Sequence, residues 1–284
     1  MNQDWVKLDC GGGITSQFML LIQTLIGHED LGRPFSERLY VDKGDSFYRL
    51  YNKSLGKYLN DFTFEEYQKL PNWWDGIFEQ SLDVNTTQFW HLTKVYGVPK
   101  NLLGKDYKDL SKYRSCVKRY INFKKELLDK VEEYSKSLGI NENTLAVHLR
   151  TTDMNYYHPH YGIITVDYFL NEIKKEIEIN SNISNIYIAS ESQEDINYVI
   201  KNLNSDIPIV FTDSRKLSSD NIQNTWTDMC DLMKDPLYWQ EVFLDILLLS
   251  KCKTLIGRIS NIPNTAMIVG DGIERYICIN EIYN

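Results

Sequence analysis

Short apolar segments alternate with longer amphipathic segments through the second half of the chain, and this alternation constrains the fold more than any other feature of the sequence. The apolar segments have the length of buried strands, and the amphipathic segments have the periodicity and length of helices. The predicted strands are residues 144–149, 185–189, 207–211, 253–256 and 275–279, and the predicted helices are residues 166–179, 194–203, 238–250 and 264–269. A strand–helix repeat of this kind predicts a mostly parallel, doubly wound α/β sheet. Ligands of such sheets bind beyond the carboxyl ends of the strands, so we expect the loops that follow these strands to share one rim.

A strand, a glycine turn and a helix open the chain. Residues 5–8 alternate like a short strand, Gly11, Gly12 and Gly13 follow, and an apolar helix is predicted from about residue 14 to residue 26. Residues 38–41 are a plausible second strand. From about residue 46 to residue 110 the sequence is rich in tyrosine and tryptophan but has no clear period. The first half is therefore also predicted to be α/β.

A long amphipathic helix is predicted over residues 112–138, and Gly139 has the character of its C-terminal stop. We place the domain boundary here. The prediction is an N-terminal α/β domain over residues 1–139 and a C-terminal Rossmann-like domain over residues 140–284.

Charge and cysteine content exclude several classes of function. The net charge is −8 and the sequence pI is near 5.2, which disfavours non-specific nucleic-acid binding. The five cysteines are widely spaced with no C-x-x-C, so neither a zinc site nor a disulfide framework is indicated. The most apolar run, residues 242–250, is too short to span a bilayer, and the first residues contain no signal-like segment. We therefore expect a soluble, cytoplasmic protein without a transmembrane segment.

The sharpest local motif is H-L-R-T-T-D, residues 148–153, at the end of a predicted strand. His148 and Arg150 are two residues apart and would share one face of the strand. A guanidinium there offers a forked set of donors to a diphosphate. The structural alternative is an ion pair between Arg150 and Asp153 beside a core histidine.

Asp245 lies within V-F-L-D-I-L-L-L, where helical neighbours on nearly every side are apolar. A carboxylate in such a place is costly unless it is paired or hydrogen-bonded. Its partner is either a cation of the protein or an N–H-bearing ligand such as a guanine edge.

Three further turns could hold a nucleotide. Gly11, Gly12 and Gly13 would let backbone amides approach a phosphate, although a tight turn without a ligand is equally consistent. Ser260 and Asn261 stand between a strand and a helix, where they suit either a phosphate or a helix cap. Ser190 and Glu191 follow another strand, where they could bind a ribose or cap the next helix.

Motifs of other enzyme classes are missing from the sequence. There is no G-x-S-x-G, no H-E-x-x-H and no D-x-D metal pair. His158 and His160 flank a proline, but no cysteine and no second carboxylate cluster completes a metal site. We expect no metal cofactor.

The order of the motifs resembles that of the inverting GT-B fucosyltransferases. The matching segments are V-H-L-R-T-T-D, H-P, Y-I-A-S-E, F-L-D-I-L-L-L-S-K-C and I-G-R-I-S-N, which together span about residues 145–269. The α1,6-fucosyltransferase and NodZ group is the most similar branch, and the α1,2- and protein O-fucosyltransferases share parts of the pattern.

The resemblance implies two Rossmann-like domains that face a central cleft, with a GDP-sugar bound there and no metal. It implies that His148 and Asp245 meet the guanine and that Arg150 holds the β-phosphate. It also implies that Ser260 lies near the phosphates, and that Ser190 and Glu191 lie beside the nucleoside.

Two departures from the family pattern concern the chemistry. The α1,6 branch has a second arginine where this chain has Thr151, and it has an acid between the motif and H-P where this chain has M-N-Y-Y. The candidates for the base are therefore Asp153, His158 and His160.

We expect transfer of fucose from GDP-fucose to a glycan hydroxyl, with acceptor contacts from Trp73, Trp74 or Trp90. Aromatic residues at the density of this segment are, however, more often core. The alternatives for function are transfer of another nucleotide-activated sugar and a catalytically silent nucleotide- or glycan-binding module.

Overall fold

The structure is a computed structural model that describes residues 4–9, 14–32, 39–42, 72–79, 88–93, 110–151, 163–216 and 236–280. The chain divides into two compact units. The first comprises Met1–Leu127 and Lys234–Gln240, and the second comprises Leu128–Met233 and Glu241–Asn284. The domain boundary at residue 139 stays a prediction.

A three-stranded parallel sheet forms the centre of the first unit. Its strands are β1 (Asp4–Asp9), β2 (Leu39–Asp42) and β3 (Gln88–Thr93), in the order β2-β1-β3. Helix α1 (Ile14–Asp30) follows β1 and is buried along most of its length, as its continuous apolar sequence requires. Strands β1 and β2 and helix α1 confirm the predicted α/β pattern, whereas β3 lies in the aromatic segment that had no clear period.

The prediction of one helix over residues 112–138 is wrong. The segment forms two helices, α2 (Ser111–Tyr120) and α3 (Lys125–Ser137). The backbone leaves the helical region at Ile121, and residues 122–124 pair instead with residues 77–79. The amide of Lys124 donates to the carbonyl of Ile77 (2.8 Å), so a tertiary contact replaces the helical hydrogen bonds. Gly139 ends α3 with a φ of 66°, which confirms the predicted stop.

A five-stranded parallel sheet forms the second unit, as predicted. Its strands are β4 (Thr144–Leu149), β5 (Asn185–Ser190), β6 (Ile209–Val210), β7 (Thr254–Gly257) and β8 (Arg275–Cys278). The helices of this region are α4 (Val166–Ile179), α5 (Gln193–Asn202), α6 (Pro236–Leu249) and α7 (Asn261–Val269). The strand order is β6-β5-β4-β7-β8. The order reverses between β4 and β7, which makes the carboxyl ends of these two strands the topological switch point of the sheet.

The two faces of this sheet have different characters. Leu145, Val147 and Leu149 point to one face, where they belong to a core that α4 and α5 complete through residues such as Phe169 and Ile196. The alternate residues of β4 point to the opposite face. There Tyr187 on β5 is hydrogen-bonded to a residue of α6, and Gly257 on β7 lies against α7. The alternation of the strands thus directs successive side chains of β4 to the core with α4 and α5 on one face and to the face of α6 and α7 on the other.

Candidate functional site

The strand register brings the predicted site residues of β4, β5 and β7 to one edge of the sheet. His148 pairs with Ala189 on one side and with Gly257 on the other. The residues that follow these strands therefore lie together at the carboxyl edge, beside the switch point. Arg150 and Glu191 are among them.

Small neighbours flank His148 on the face that it shares with Ala189 and Gly257. A Cβ atom at position 257 would lie 3.1 Å from Cγ of Pro263 and 3.3 Å from Cε2 of Tyr276. Glycine is therefore what allows α7 to begin this close to β7. The imidazole of His148 is buried, with the residue 4% exposed, and lies just beneath the edge.

Arg150 has the charge and accessibility expected of an anion-binding residue. Its side chain is 20% exposed, and its Nε lies 3.9 Å from Oε1 of Glu191, whose side chain is 21% exposed. The guanidinium carries five N–H donors in a planar fork, which suits the oxygens of a diphosphate. The predicted alternative partner, Asp153, is outside the described residues.

The turn between β5 and α5 is held by its own serines. The hydroxyl of Ser190 accepts a hydrogen bond from the amide of Ser192 (3.1 Å). The hydroxyl of Ser192 accepts from the amide of Asp195 (3.2 Å), so the N-cap of α5 is Ser192 rather than Ser190 or Glu191. The carboxylate of Asp195 accepts in turn from the hydroxyl of Thr151. Burial raises the pKa of Asp195, and the bonds from Thr151 and Ser192 oppose that rise.

The first turn of α7 contains polar groups that have no hydrogen-bond partner among the described residues. Ser260 occupies the N-cap position but makes no capping hydrogen bond, and its buried hydroxyl has no partner within the described ranges. Asn264 is 1% exposed, and neither atom of its amide has a hydrogen-bond partner there. The first N–H groups of a helix also lack intrahelical acceptors. Together these groups suit a phosphate, a hydroxyl-bearing ligand or ordered water.

Asn261 opens α7, and its carbonyl accepts a hydrogen bond from the hydroxyl of Thr265 (2.7 Å). Asn264 was missed in the sequence analysis, although an amide side chain in the middle of the short helix N-I-P-N-T-A-M-I-V could have drawn attention to it.

Asp245 is partly buried on α6, and its carboxylate accepts hydrogen bonds from three hydroxyl groups of the second unit. Oδ1 accepts from Tyr187 (2.7 Å) and Thr212 (2.7 Å), and Oδ2 accepts from Ser214 (3.3 Å). Burial raises the pKa of Asp245, while Lys216 and these hydroxyls act to lower it. The cost of burying this carboxylate is thus offset by the charge of Lys216, a cation of the protein as one of the two alternatives expected, and by three hydroxyl donors that the sequence did not reveal.

Arg258 is a second arginine at the switch point that the sequence analysis did not single out. It follows β7 directly and is fully buried, and its carbonyl accepts a hydrogen bond from the hydroxyl of Tyr276 (3.0 Å). A wholly buried cation in a loop is unusual, and its place within I-G-R-I-S-N was the available signal.

The hypothesis that Trp74 contacts an acceptor sugar is wrong. Its side chain is fully buried in the first unit and stacks on Phe78 with ring centroids 5.2 Å apart, so its faces belong to the core. Several other candidates lie outside the described residues: Gly11, Gly12, Gly13, Asp153, His158, His160 and the side chains of Trp73 and Trp90.

Within the described part of the chain, no group of three or more His, Cys, Asp or Glu side chains could hold a metal ion. None of the helices described there has both the length and the hydropathy needed to cross a bilayer.

Comparison with known proteins identifies solved structures of similar fold. No protein-family model and no curated protein matches the chain. The structure of NodZ α-1,6-fucosyltransferase soaked with GDP-fucose matches with a TM-score of 0.51 at 12% identity, covering 95% of this chain and 93% of that chain. Fucosyltransferase NodZ from Bradyrhizobium matches with a TM-score of 0.49 at 12% identity, covering 95% and 94%. POFUT1 in complex with GDP-fucose matches with a TM-score of 0.47 at 11% identity, covering 98% of each chain.

At these identities a structural likeness establishes the fold alone. We base the comparison on the NodZ structure soaked with GDP-fucose, because its TM-score of 0.51 is above 0.5. The α1,6-fucosyltransferase and NodZ group is also the one that the sequence motifs resemble. The chain has the Rossmann-like α/β fold of the GT-B fucosyltransferases.

Proposed function

We propose that this chain is a glycosyltransferase whose nucleotide-sugar donor binds at the carboxyl edge of the five-stranded sheet. In its specific form the proposal is inverting, metal-independent transfer of fucose from GDP-fucose to a glycan hydroxyl. One observation carries it. Arg150, a partly exposed arginine, follows the central strand β4 at the switch point of a fold shared with a fucosyltransferase structure soaked with GDP-fucose.

The site supplies the first requirement of the reaction, which is stabilisation of the departing diphosphate. Arg150 offers a fork of donors, and the first turn of α7 offers backbone N–H groups and the hydroxyl of Ser260. Donors that are fixed before the reaction cost no reorganisation as charge develops on the leaving group. In this proposal His148 and Glu191 lie beside the nucleoside.

The second requirement is an acceptor hydroxyl held opposite the leaving group, with a base to take its proton. We assign the acceptor to the N-terminal domain, residues 1–139, and the donor to residues 140–284. Asp153 and His158 are the proposed candidates for the base because they follow Arg150 most closely in the sequence.

A different nucleotide is the second candidate, and the surroundings of Asp245 favour it. A guanine would present N–H donors to a carboxylate, but that of Asp245 already accepts from Tyr187, Thr212 and Ser214. A nucleotide sugar whose base does not hydrogen-bond to Asp245 would leave these three hydrogen bonds intact.

The decisive experiment is a donor screen followed by turnover. Thermal shift with GDP, UDP, dTDP and CMP sugars identifies the nucleotide, because a ligand at a hundred times its Kd stabilises by about 2.7 kcal/mol. GDP release from GDP-fucose is then followed in EDTA with and without glycan acceptors. The proposal predicts a shift with GDP and acceptor-dependent release in EDTA.

The other outcomes distinguish the alternatives. A shift with another nucleotide moves the assignment to the second candidate. Binding without release identifies a silent module, and activity restored only by Mg²⁺ or Mn²⁺ contradicts the metal-independent mechanism.

A further inference from the structure

We infer that Asp195 is a positioning residue that fixes Arg150 at the carboxyl edge through Thr151. This inference rests on the proposed function, in which Arg150 binds the diphosphate. Asp195 belongs to α5 and was not among the residues that the sequence analysis selected.

The link between Asp195 and Arg150 is short. Thr151 is the next residue after Arg150, and its hydroxyl donates a hydrogen bond to Oδ2 of Asp195. An ionised carboxylate only accepts hydrogen bonds, so the Thr151 hydroxyl is the donor and its orientation is defined. Only one peptide unit then separates Arg150 from a fixed point on α5.

Asp195 is itself fixed to the sheet. Its amide donates to the hydroxyl of Ser192, and the amide of Ser192 donates to the hydroxyl of Ser190. Ser190 ends β5 and is paired in register with Leu149, the residue before Arg150. The hydrogen bonds thus form a closed ring that runs from β4 through Thr151 to α5 and returns through β5.

Arg150 lies within this closed ring. Its main chain is held on the N-terminal side by the strand pairing of Leu149 and on the C-terminal side by the bond of Thr151 to Asp195. Its Nε lies 3.9 Å from Oε1 of Glu191, which stands between Ser190 and Ser192 in the sequence. Without the bond to Asp195, the residue after Arg150 would lose this contact with α5, and small misplacements of a catalytic group are costly in rate.

The electrostatic surroundings of Asp195 agree with a positioning role. Burial raises the pKa of Asp195 and the charge of Glu194 adds to that rise, while hydrogen bonds from the hydroxyl of Thr151 and to Ser192 stabilise its ionised form. A partly buried carboxylate whose stabilising neighbours are hydroxyl groups is suited to holding a hydroxyl in place.

The test uses a double-mutant cycle on the full chain. Thr151→Val and Asp195→Ala each remove the hydrogen bond, and Asp195→Asn retains an acceptor. Each of the first two should lower kcat for sugar transfer by about tenfold or more, and the double variant should be no worse than either single variant. Asp195→Asn should recover most of the lost kcat. KM should change little, because the effect is on the placement of Arg150 in the transition state.

Tyr198→Phe is the matched control. Tyr198 is also on α5, and its hydroxyl also donates to an aspartate, Asp167 (2.7 Å), which is in the first turn of α4 and is not part of the ring. This variant should have the kcat of the wild type. Losses that multiply in the double variant, or an equal loss in Tyr198→Phe, would overturn the inference.

A second measurement does not depend on turnover. Hydrogen exchange of the amides of residues 149–151 should be at least about tenfold faster in Thr151→Val and Asp195→Ala than in the wild type. Unchanged exchange in both variants contradicts the ring. If the wild-type protein transfers no sugar from any donor, the proposed function fails, while the exchange measurement still decides whether Asp195 holds this segment.

Discussion

The guanidinium of Arg150 and the carboxylate of Glu191 follow adjacent parallel strands and meet at the edge of the sheet, with Nε and Oε1 3.9 Å apart. An ion pair of this length between partly exposed side chains contributes at most about 1 kcal/mol to stability. A ligand that displaces this one ion pair therefore costs the protein little stability. Because the ion pair is weak, a substitution of Glu191 should change ligand binding without a large change in the free energy of unfolding.

We expect Glu191→Ala to weaken GDP binding by about 1–3 kcal/mol, the range for a hydrogen bond to a charged group, because the proposal sets Glu191 beside the nucleoside. The melting temperature should change little, because the ion pair is weak. Calorimetry with GDP and a melting curve of the same preparation measure the two effects. An unchanged Kd would remove Glu191 from the nucleotide site.

Gly257→Ala tests the close approach of β7 and α7. The added Cβ would be 3.1 Å from Cγ of Pro263, so the start of α7 must move. We expect a loss of about 1–3 kcal/mol in the free energy of unfolding, the usual cost of overpacking, together with weaker GDP binding. Urea unfolding and GDP calorimetry measure these quantities.

The control for this variant is Gly27→Ala on helix α1. A Cβ atom there would meet nothing within 4 Å, so the change should stabilise the protein by about 0.5–1 kcal/mol. If Gly257→Ala is as stable as the wild type, the contact between Gly257 and Pro263 does not determine where α7 begins.

The carboxylate of the partly buried Asp245 predicts a particular dependence of stability on pH. Burial raises its folded pKa above the unfolded value of 3.8, so the native state binds more protons than the unfolded state between these two values. The free energy of unfolding contributed by this group therefore falls as pH rises through that window. Relative to Asp245→Asn, wild-type protein should lose stability from about pH 3 upward and then level off.

Urea unfolding of both proteins over this pH range measures the difference. A wild-type protein that gains stability relative to the variant as pH rises would mean that the charge of Lys216, rather than burial, dominates at Asp245.

The local patterns of the sequence predicted most of the second unit. Helix Val166–Ile179 was predicted to the residue because its apolar face repeats with helical period, and the strand that ends at Leu149 was predicted because it is short and mostly apolar. The break at Ile121 could not be predicted in this way. It depends on pairing with residues 77–79, which are distant in sequence.

In the candidate site, too, local sequence patterns predicted some residues, while others depend on contacts between segments distant in sequence. His148 and Arg150 were predicted because the end of a parallel strand fixes where its residues lie. The hydroxyls that satisfy Asp245 come from Tyr187 and from residues 212–214, and no sequence period connects them to α6. The role inferred for Asp195 likewise depends on a contact between the loop after β4 and the first turn of α5.

The central claim is that Arg150 stabilises the leaving diphosphate of a nucleotide sugar. Charge on the diphosphate grows in the transition state, so Arg150 should contribute more there than in the ground state. Lysine keeps the charge but loses the fork of donors. Fold and melting temperature should change little, because a residue at the edge buries little apolar area.

The most direct test is kcat for GDP release from GDP-fucose by Arg150→Lys, measured with acceptor present and beside a melting curve of the same sample. The account predicts a kcat at least about a hundredfold below that of the wild type at an unchanged melting temperature, near the cost of one lost oxyanion-type donor. Near-normal turnover in a folded Arg150→Lys protein would contradict it.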